Sequence, residues 1–183
     1  MKRIFCILLS LLIIFSFSSC GKDSNSKDDI ADLSYFVKLG QIPECEYKIG
    51  DSAETINADL KKAAETSEDA VYDFIEGENN ALIDGGLYSY YYKKANIQDG
   101  ISYIVSYDTA FGFEIGTLWV EIENAYKDIK FKQEEMNDKN SFFLLGSPEG
   151  KVLKTEISDY TVSFLFVDNA LCATAIYITN DWK

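Results

Sequence analysis

Tyrosine and cysteine are the side chains whose placement carries chemical information in this 183-residue chain, because histidine is absent and Arg3 is the only arginine. Without imidazole there is no Ser-His-Asp or Cys-His apparatus and no histidine metal ligand. The run Tyr88-Ser89-Tyr90-Tyr91-Tyr92 is followed by Tyr103 and Tyr107. On strands, Tyr88, Tyr90 and Tyr92 share one face, and Tyr103 and Tyr107 share one face of the partner. If those faces coincide and are open, they form a patch suited to a protein interface or to stacking on sugar rings. The other reading is cross-strand aromatic packing beneath helices.

Acidic residues are numerous, 30 against 17 basic ones, but scattered. No calcium-loop spacing occurs, and Asn137-Asp138-Lys139-Asn140 reads as a turn because Lys139 brings the wrong charge for a cation site. Sequence gives no means of choosing two carboxylates that face each other, so no catalytic pair is nominated. Gly85-Gly86 and Gly146-Ser147-Pro148-Glu149-Gly150 are turn signals without the Lys-Ser/Thr that a phosphate loop requires, which removes a nucleotide site. No metal and no cofactor is expected.

The N-terminus has a separate logic. Lys2 and Arg3 precede an apolar run from Ile4 to Phe17, which is too short to favour a spanning helix, and Phe17-Ser18-Ser19-Cys20-Gly21 follows. This resembles a bacterial lipoprotein signal, departing from it only in Phe17 where leucine is usual. The resemblance implies removal of residues 1–19 and acylation of Cys20 as the first mature residue. A plain secretory signal or an uncleaved anchor are the alternatives. Cleavage removes Lys2 and Arg3 and no acid, moving the formal charge from -13 to -15 and leaving lysine as the only cation. Such a surface repels nucleic acid and anionic lipid headgroups, so membrane association is expected from acyl chains on Cys20. Residues 20–29, with the polar run GKDSNSKDD, read as a flexible tether.

Residues 30–183 are long enough for a single domain with a substantial core. Within it, Tyr47-Lys48-Ile49-Gly50 and Phe113-Glu114-Ile115-Gly116 repeat an aromatic, a charge, an isoleucine and a glycine at a spacing of 66 residues. Helical spacing follows each: Ile49, Ala53, Ile56, Leu60 and Ala63, then Ile115, Leu118, Trp119, Ile122 and Tyr126. Asp51 or Ser52, and Thr117, are the expected N-caps. Strand-like segments come next, at 71–75, 87–94 and 101–108 in the first unit and at 151–157, 160–167 and 170–179 in the second. The expected fold class is α+β: a tandem repeat, about 47–108 and 113–179, of one helix followed by about three antiparallel strands, with the helices on one face of the sheet. A short helix is expected over 30–39, Trp119 is expected in the core, and Trp182 is left unplaced.

The stretch Gly40-Gln41-Ile42-Pro43-Glu44-Cys45-Glu46-Tyr47-Lys48-Ile49-Gly50-Asp51-Ser52 resembles the opening of a group of Gram-positive secreted proteins and lipoproteins of unknown function. The helix-then-hairpin pattern is similar to the tandem units of the β-lactamase-inhibitor-protein fold and of small outer-membrane assembly lipoproteins. These likenesses imply location and architecture, and no inhibitory activity is carried over.

With Cys6 cleaved away and Cys20 acylated, Cys45 and Cys172 remain. They are either a disulfide, worth roughly 4 to 5 kcal/mol in the chain-entropy account, or two separate thiols. Cys172 is expected on the strand face shared by Thr174, Ile176 and Ile178. The sequence thus points to a lipid-anchored, extracytoplasmic, non-catalytic module that binds a protein or cell-envelope component. The alternative is an envelope hydrolase using paired carboxylates or a Ser-Lys arrangement.

Overall fold

Aromatic and β-branched residues flank Asp168-Asn169, and they form the hairpin of β7 (Tyr160–Val167) and β8 (Ala170–Ile178). Both turn residues have positive φ, 52° and 65°, as the tight two-residue hairpin turn requires. A computed structural model describes residues 30–137 and 149–181. Cys20, the expected leader and tether, most of the Asn137–Asn140 cluster and Trp182 lie outside the described residues.

The remaining strands are β1 (Asp73–Glu76), β2 (Asn80–Asp84), β3 (Tyr88–Lys93), β4 (Tyr103–Ser106), β5 (Lys132–Glu135) and β6 (Lys151–Ile157). All pair antiparallel in one eight-stranded sheet of order β1-β2-β3-β4-β8-β7-β6-β5. The described helices are few: α1 (Leu33–Lys38), α2 (Ala53–Thr66), α3 (Trp119–Ala125) and a 3₁₀ turn at Lys94–Asp99.

This overturns the expected tandem repeat of one helix plus three strands. The two runs of strands fuse through β4 and β8 into one continuous sheet. The second expected helix shrinks to seven residues because the backbone before it is extended: Gly116 N–H donates to Leu171 O at 2.8 Å and Leu171 N–H to Thr117 O at 2.8 Å. Thr117 is therefore no cap; its hydroxyl donates to Glu114 O at 2.7 Å, while Leu118 occupies the N-cap without a side-chain bond. Ile115 and Leu118 end up exposed, and Trp119 is half-buried under Lys151, whose Nζ lies 5.1 Å from the ring centroid. A local likeness survives, since Gly50 N–H donates to Ile101 O at 2.9 Å as Gly116 does to Leu171.

The first helix follows sequence rules closely. Ser52 Oγ accepts the Thr55 N–H, Ala53 and Ile56 are buried, and Glu54 sits in the positive first turn. In α1, Asp32 Oδ1 accepts the Tyr35 N–H at 3.1 Å, and Leu33 and Val37 turn inward.

Register assigns every strand residue to a face. One face carries Ile83, Tyr90, Ile104, Ile176, Val162 and Phe164. It is covered by loops and helices: Tyr47 stands edge-on to Tyr90, and Phe111, Phe113 and Phe131 surround Phe164 with centroids 6.0 to 6.5 Å away. The opposite face has its own buried cluster of Tyr103, Val105, Val152, Leu165, Ala173 and Ala175. Both faces of the central strands are therefore apolar.

Candidate functional site: an aromatic sheet face

The expected tyrosine patch divides between the two faces. Tyr90 pairs with Ile104 and Tyr91 with Tyr103, so Tyr88, Tyr90 and Tyr92 lie opposite to Tyr103 and Tyr107. A single-residue difference in register decides this, because side chains alternate with a period of two.

On the covered face, Tyr90 is buried and its hydroxyl lies 3.4 Å from Cys45 Sγ. Burial, then the neighbouring Cys45, push its phenol well above the ordinary tyrosine value. Tyr92 is also buried, and Tyr88 is half-buried with its phenol raised to about 12, chiefly by burial. These three tyrosines are packing residues of the layer beneath the loops.

The other face holds a row that the sequence reading only half found. Tyr91 stands edge-on to Tyr103 at 5.6 Å, and Tyr103 stacks on Tyr177 at 4.8 Å with planes 2° apart. Register extends the row across five strands, from Ile75 through Leu82, Tyr91 and Tyr103 to Tyr177. Exposure falls along it, from 55% at Ile75 to 1% at Tyr103. Partly exposed Tyr91, Tyr107, Met136, Cys172 and Tyr177 pack around the buried centre. Burial raises the phenols of Tyr91, Tyr103 and Tyr107, so these three rings stay uncharged through the neutral range. Tyr177 was missed because β8 was read as presenting Thr174, Ile176 and Ile178.

A bulge corrects the expected face of Cys172. Leu165 opposes Ala173 and Phe166 opposes Leu171, so Cys172 is the extra residue of β8. It packs with the Val105–Ala173 cluster, and its thiol donates to Leu165 O at 3.3 Å. Cys45 lies against Tyr90 on the opposite side of the sheet, and both cysteines are free. The disulfide alternative is thereby replaced by two thiols separated by the sheet. Burial raises both thiol pKa values. Without reductant, the folded protein is expected to yield both thiols to an alkylating reagent, with half-exposed Cys172 reacting before Cys45. Mass spectrometry over a time course checks this, and a two-proton mass deficit in an unreduced sample would contradict it.

Carboxylate and Ser-Lys arrangements were the chemical alternative, and the structure occupies the pairs that register creates. Asp73 opposes Asp84, yet Asp73 Oδ1 accepts the Phe74 N–H at 2.8 Å and Asp84 Oδ1 accepts from Gly86 N–H and the Ser89 hydroxyl. Ser163 opposes Lys154, but Lys154 Nζ is 2.7 Å from Glu134 Oε2 and Ser163 Oγ is 3.3 Å from the Tyr177 hydroxyl. Lys132 also pairs with Glu134, whose carboxyl is held below the usual range chiefly by hydrogen bonds from Lys132 and Lys154. These groups are engaged in hydrogen bonds and ion pairs with their neighbours. Among the described residues no cluster of three or more metal-ligating side chains occurs, and no helix is long and apolar enough to cross a membrane. No protein-family model, curated protein or solved structure matches the chain.

Proposed function

We propose that this protein is a lipid-anchored, extracytoplasmic binding protein without catalytic activity, whose aromatic sheet face is the contact surface for a protein of the cell envelope. The observation that carries the reading is the ring of half-exposed Tyr91, Tyr107, Met136 and Tyr177 around buried Tyr103. Aromatic side chains and methionine are enriched at protein interfaces, where they present large contact area at little conformational cost. The leader and Cys20 supply the location, and the acidic surface argues against nucleic acid and anionic lipid as ligands.

Two measurements test it. Cys20→Ala is expected to move the protein from the membrane fraction to the soluble extracytoplasmic fraction; continued membrane association would contradict lipid anchoring. A photo-crosslinking amino acid at position 107 is expected to capture one envelope protein, with no adduct when the same group replaces Glu54 on the outer side of α2. Identical capture from both positions would contradict the face as the contact surface.

A further inference from the structure

The strongest feature beyond the stacked tyrosines is the free margin of the sheet at β1. All four β1 residues are exposed, including Phe74 at 37% and Ile75 at 55%, with Val71 at 53% just before them. Natural edge strands are normally blunted by lysine, proline or a covering element. Here residues 63–92 contain seven acids and no basic residue or proline. This strand is last in the sheet order, so its outer side pairs with no other described strand.

Backbone geometry fixes which groups face outward. Gly77 N–H donates to Asn80 O at 2.9 Å, making Gly77 and Asn80 a hydrogen-bonded pair. Alternation then makes Ile75:Leu82 and Asp73:Asp84 hydrogen-bonded pairs and turns the N–H and C=O of Phe74 and Glu76 away from β2. Consistently, the outward Phe74 N–H is held by its neighbour's Asp73 Oδ1 at 2.8 Å. Asp73 therefore caps its own edge. A strand that draws this carboxylate away frees a backbone donor at the same moment.

We infer that β1 accepts a ninth, antiparallel strand from another protein, an extended segment with a lysine opposite Asp73 and apolar residues opposite Phe74 and Ile75. Main-chain bonds from Phe74 and Glu76 hold it, as in other cases of strand addition. The lysine meets Asp73 and, behind it on the same face, Asp84. Its ammonium replaces the Phe74 N–H as partner of the Asp73 carboxylate, so the donor passes to the incoming carbonyl. Glu76 contributes backbone groups, its carboxylate already being 2.6 Å from Lys94 Nζ in an exposed pair. A second β1 is a poor occupant, since antiparallel pairing would set its Asp73 and Glu76 against the same acids of this edge and repel it. The edge adjoins the aromatic face, whose row begins at Ile75, but the groups that hold the added strand are the outward backbone groups of Phe74 and Glu76, so the site stands whether or not that face binds a partner.

The experiment uses the full chain in detergent micelles and a fluorescein-labelled peptide containing Thr-Val-Val-Lys, read in the direction from Glu76 to Asp73. Fluorescence anisotropy is expected to show saturable binding that weakens with salt and falls about tenfold when glutamate replaces the peptide lysine. Glu76→Pro removes an outward N–H while leaving the β1–β2 ladder intact, and is expected to abolish binding with little change in melting temperature. Glu76→Gln, which keeps the N–H, is expected to bind within about threefold of the original. Equal binding of the lysine and glutamate peptides, no binding at millimolar peptide, or unchanged affinity in Glu76→Pro would overturn the proposal. Sedimentation showing that the chain pairs with itself through β1 would also overturn it, by making a second copy the occupant.

Discussion

Gly100→Ala is expected to remove a large part of the stability of the folded state. Gly100 has φ 77° and ψ -162°, a region of backbone space that is almost closed to residues with a side chain and costs about 1 to 3 kcal/mol. The close approach of two backbones is worse. A Cβ at this position would stand 2.4 Å from both Gly50 O and Asp51 O, and no rotamer change relieves a contact with main chain. Those atoms belong to the segment where Gly50 N–H donates to Ile101 O and Ile101 N–H donates to Asp51 O, so the clash falls on the junction of α2 with β4. A total loss of about 4 kcal/mol or more is expected, against the 5 to 15 kcal/mol typical of a whole domain. Gly50→Ala provides the control: φ is 91°, but nothing lies within 4 Å of the added methyl. It isolates the conformational cost, expected at about 1 to 2 kcal/mol. Urea unfolding of both variants measures the difference, and equal losses would show that backbone crowding at Gly100 is unimportant.

Phe164→Ala is the second large effect. Phe164 is fully buried on the covered face, with Phe111 at 6.1 Å, Phe113 at 6.5 Å and Phe131 at 6.0 Å between ring centroids. These rings come from segments that share no strand with it, so the side chain joins the sheet to the 110–131 region. Truncation leaves a cavity walled by rings that cannot all collapse inward, and a loss of about 3 to 5 kcal/mol is expected. For a chain of this size that corresponds to a fall in melting temperature of roughly 10 °C. Phe164→Leu keeps most of the volume and is expected to cost about 1.5 kcal/mol or less. Phe111 should respond as well, because its φ of 56° is maintained by Glu44, which accepts from Phe111 N–H at 3.0 Å and from Gly112 N–H at 2.9 Å. Loss of near-ultraviolet dichroism before global unfolding is the expected signature. A melting temperature unchanged within 2 °C would contradict the role assigned to this ring.

The parts of the fold that were legible in the sequence are those set by local chemistry. Ser52 caps a helix, Asp168-Asn169 turns a hairpin, and alternating apolar residues mark β7 and β8, because each signal acts within a few residues. Two strands were lost, the edge strand β5 and β2 beside the other edge. In β5, Lys-Gln-Glu-Glu carries no apolar residue, and its place is set by pairing with β6. In β2, only Ala81, Leu82 and Ile83 separate two polar ends, too short a run to distinguish from a turn. The second helix was overextended because Ile115 and Leu118 keep helical spacing while Gly116 and Thr117 between them bond their backbone to Leu171, more than 50 positions on.

The aromatic face was legible in composition and illegible in geometry. Tyr103 and Tyr107 were correctly grouped with each other, and Tyr88, Tyr90 and Tyr92 likewise, since parity along one strand is a sequence property. The relation between the groups depends on how residues 94–102 return the chain. That return contains a 3₁₀ turn with a non-helical Asn96, and it places Tyr91 opposite Tyr103. Likewise the bulge beside Leu165 moves Cys172 to the other face without any local marker, because β8 contains no glycine.

The strand order has a consequence for the timing of folding. Neighbours in space are neighbours in sequence everywhere except at the middle, where β4 meets β8 and Tyr103 pairs with Tyr177, 74 positions later. The last strand made is therefore the keystone between two meanders, and until it arrives β4 and β7 both stand as unpaired edges with apolar surface on both sides. Long-range closure of this kind is slow compared with hairpin formation. For a chain that crosses a membrane unfolded with its N-terminus leading, the sheet cannot close until the final strand has followed. On the proposed extracytoplasmic placement, the order of strands would act as a delay, with closure of the sheet waiting on its last described strand.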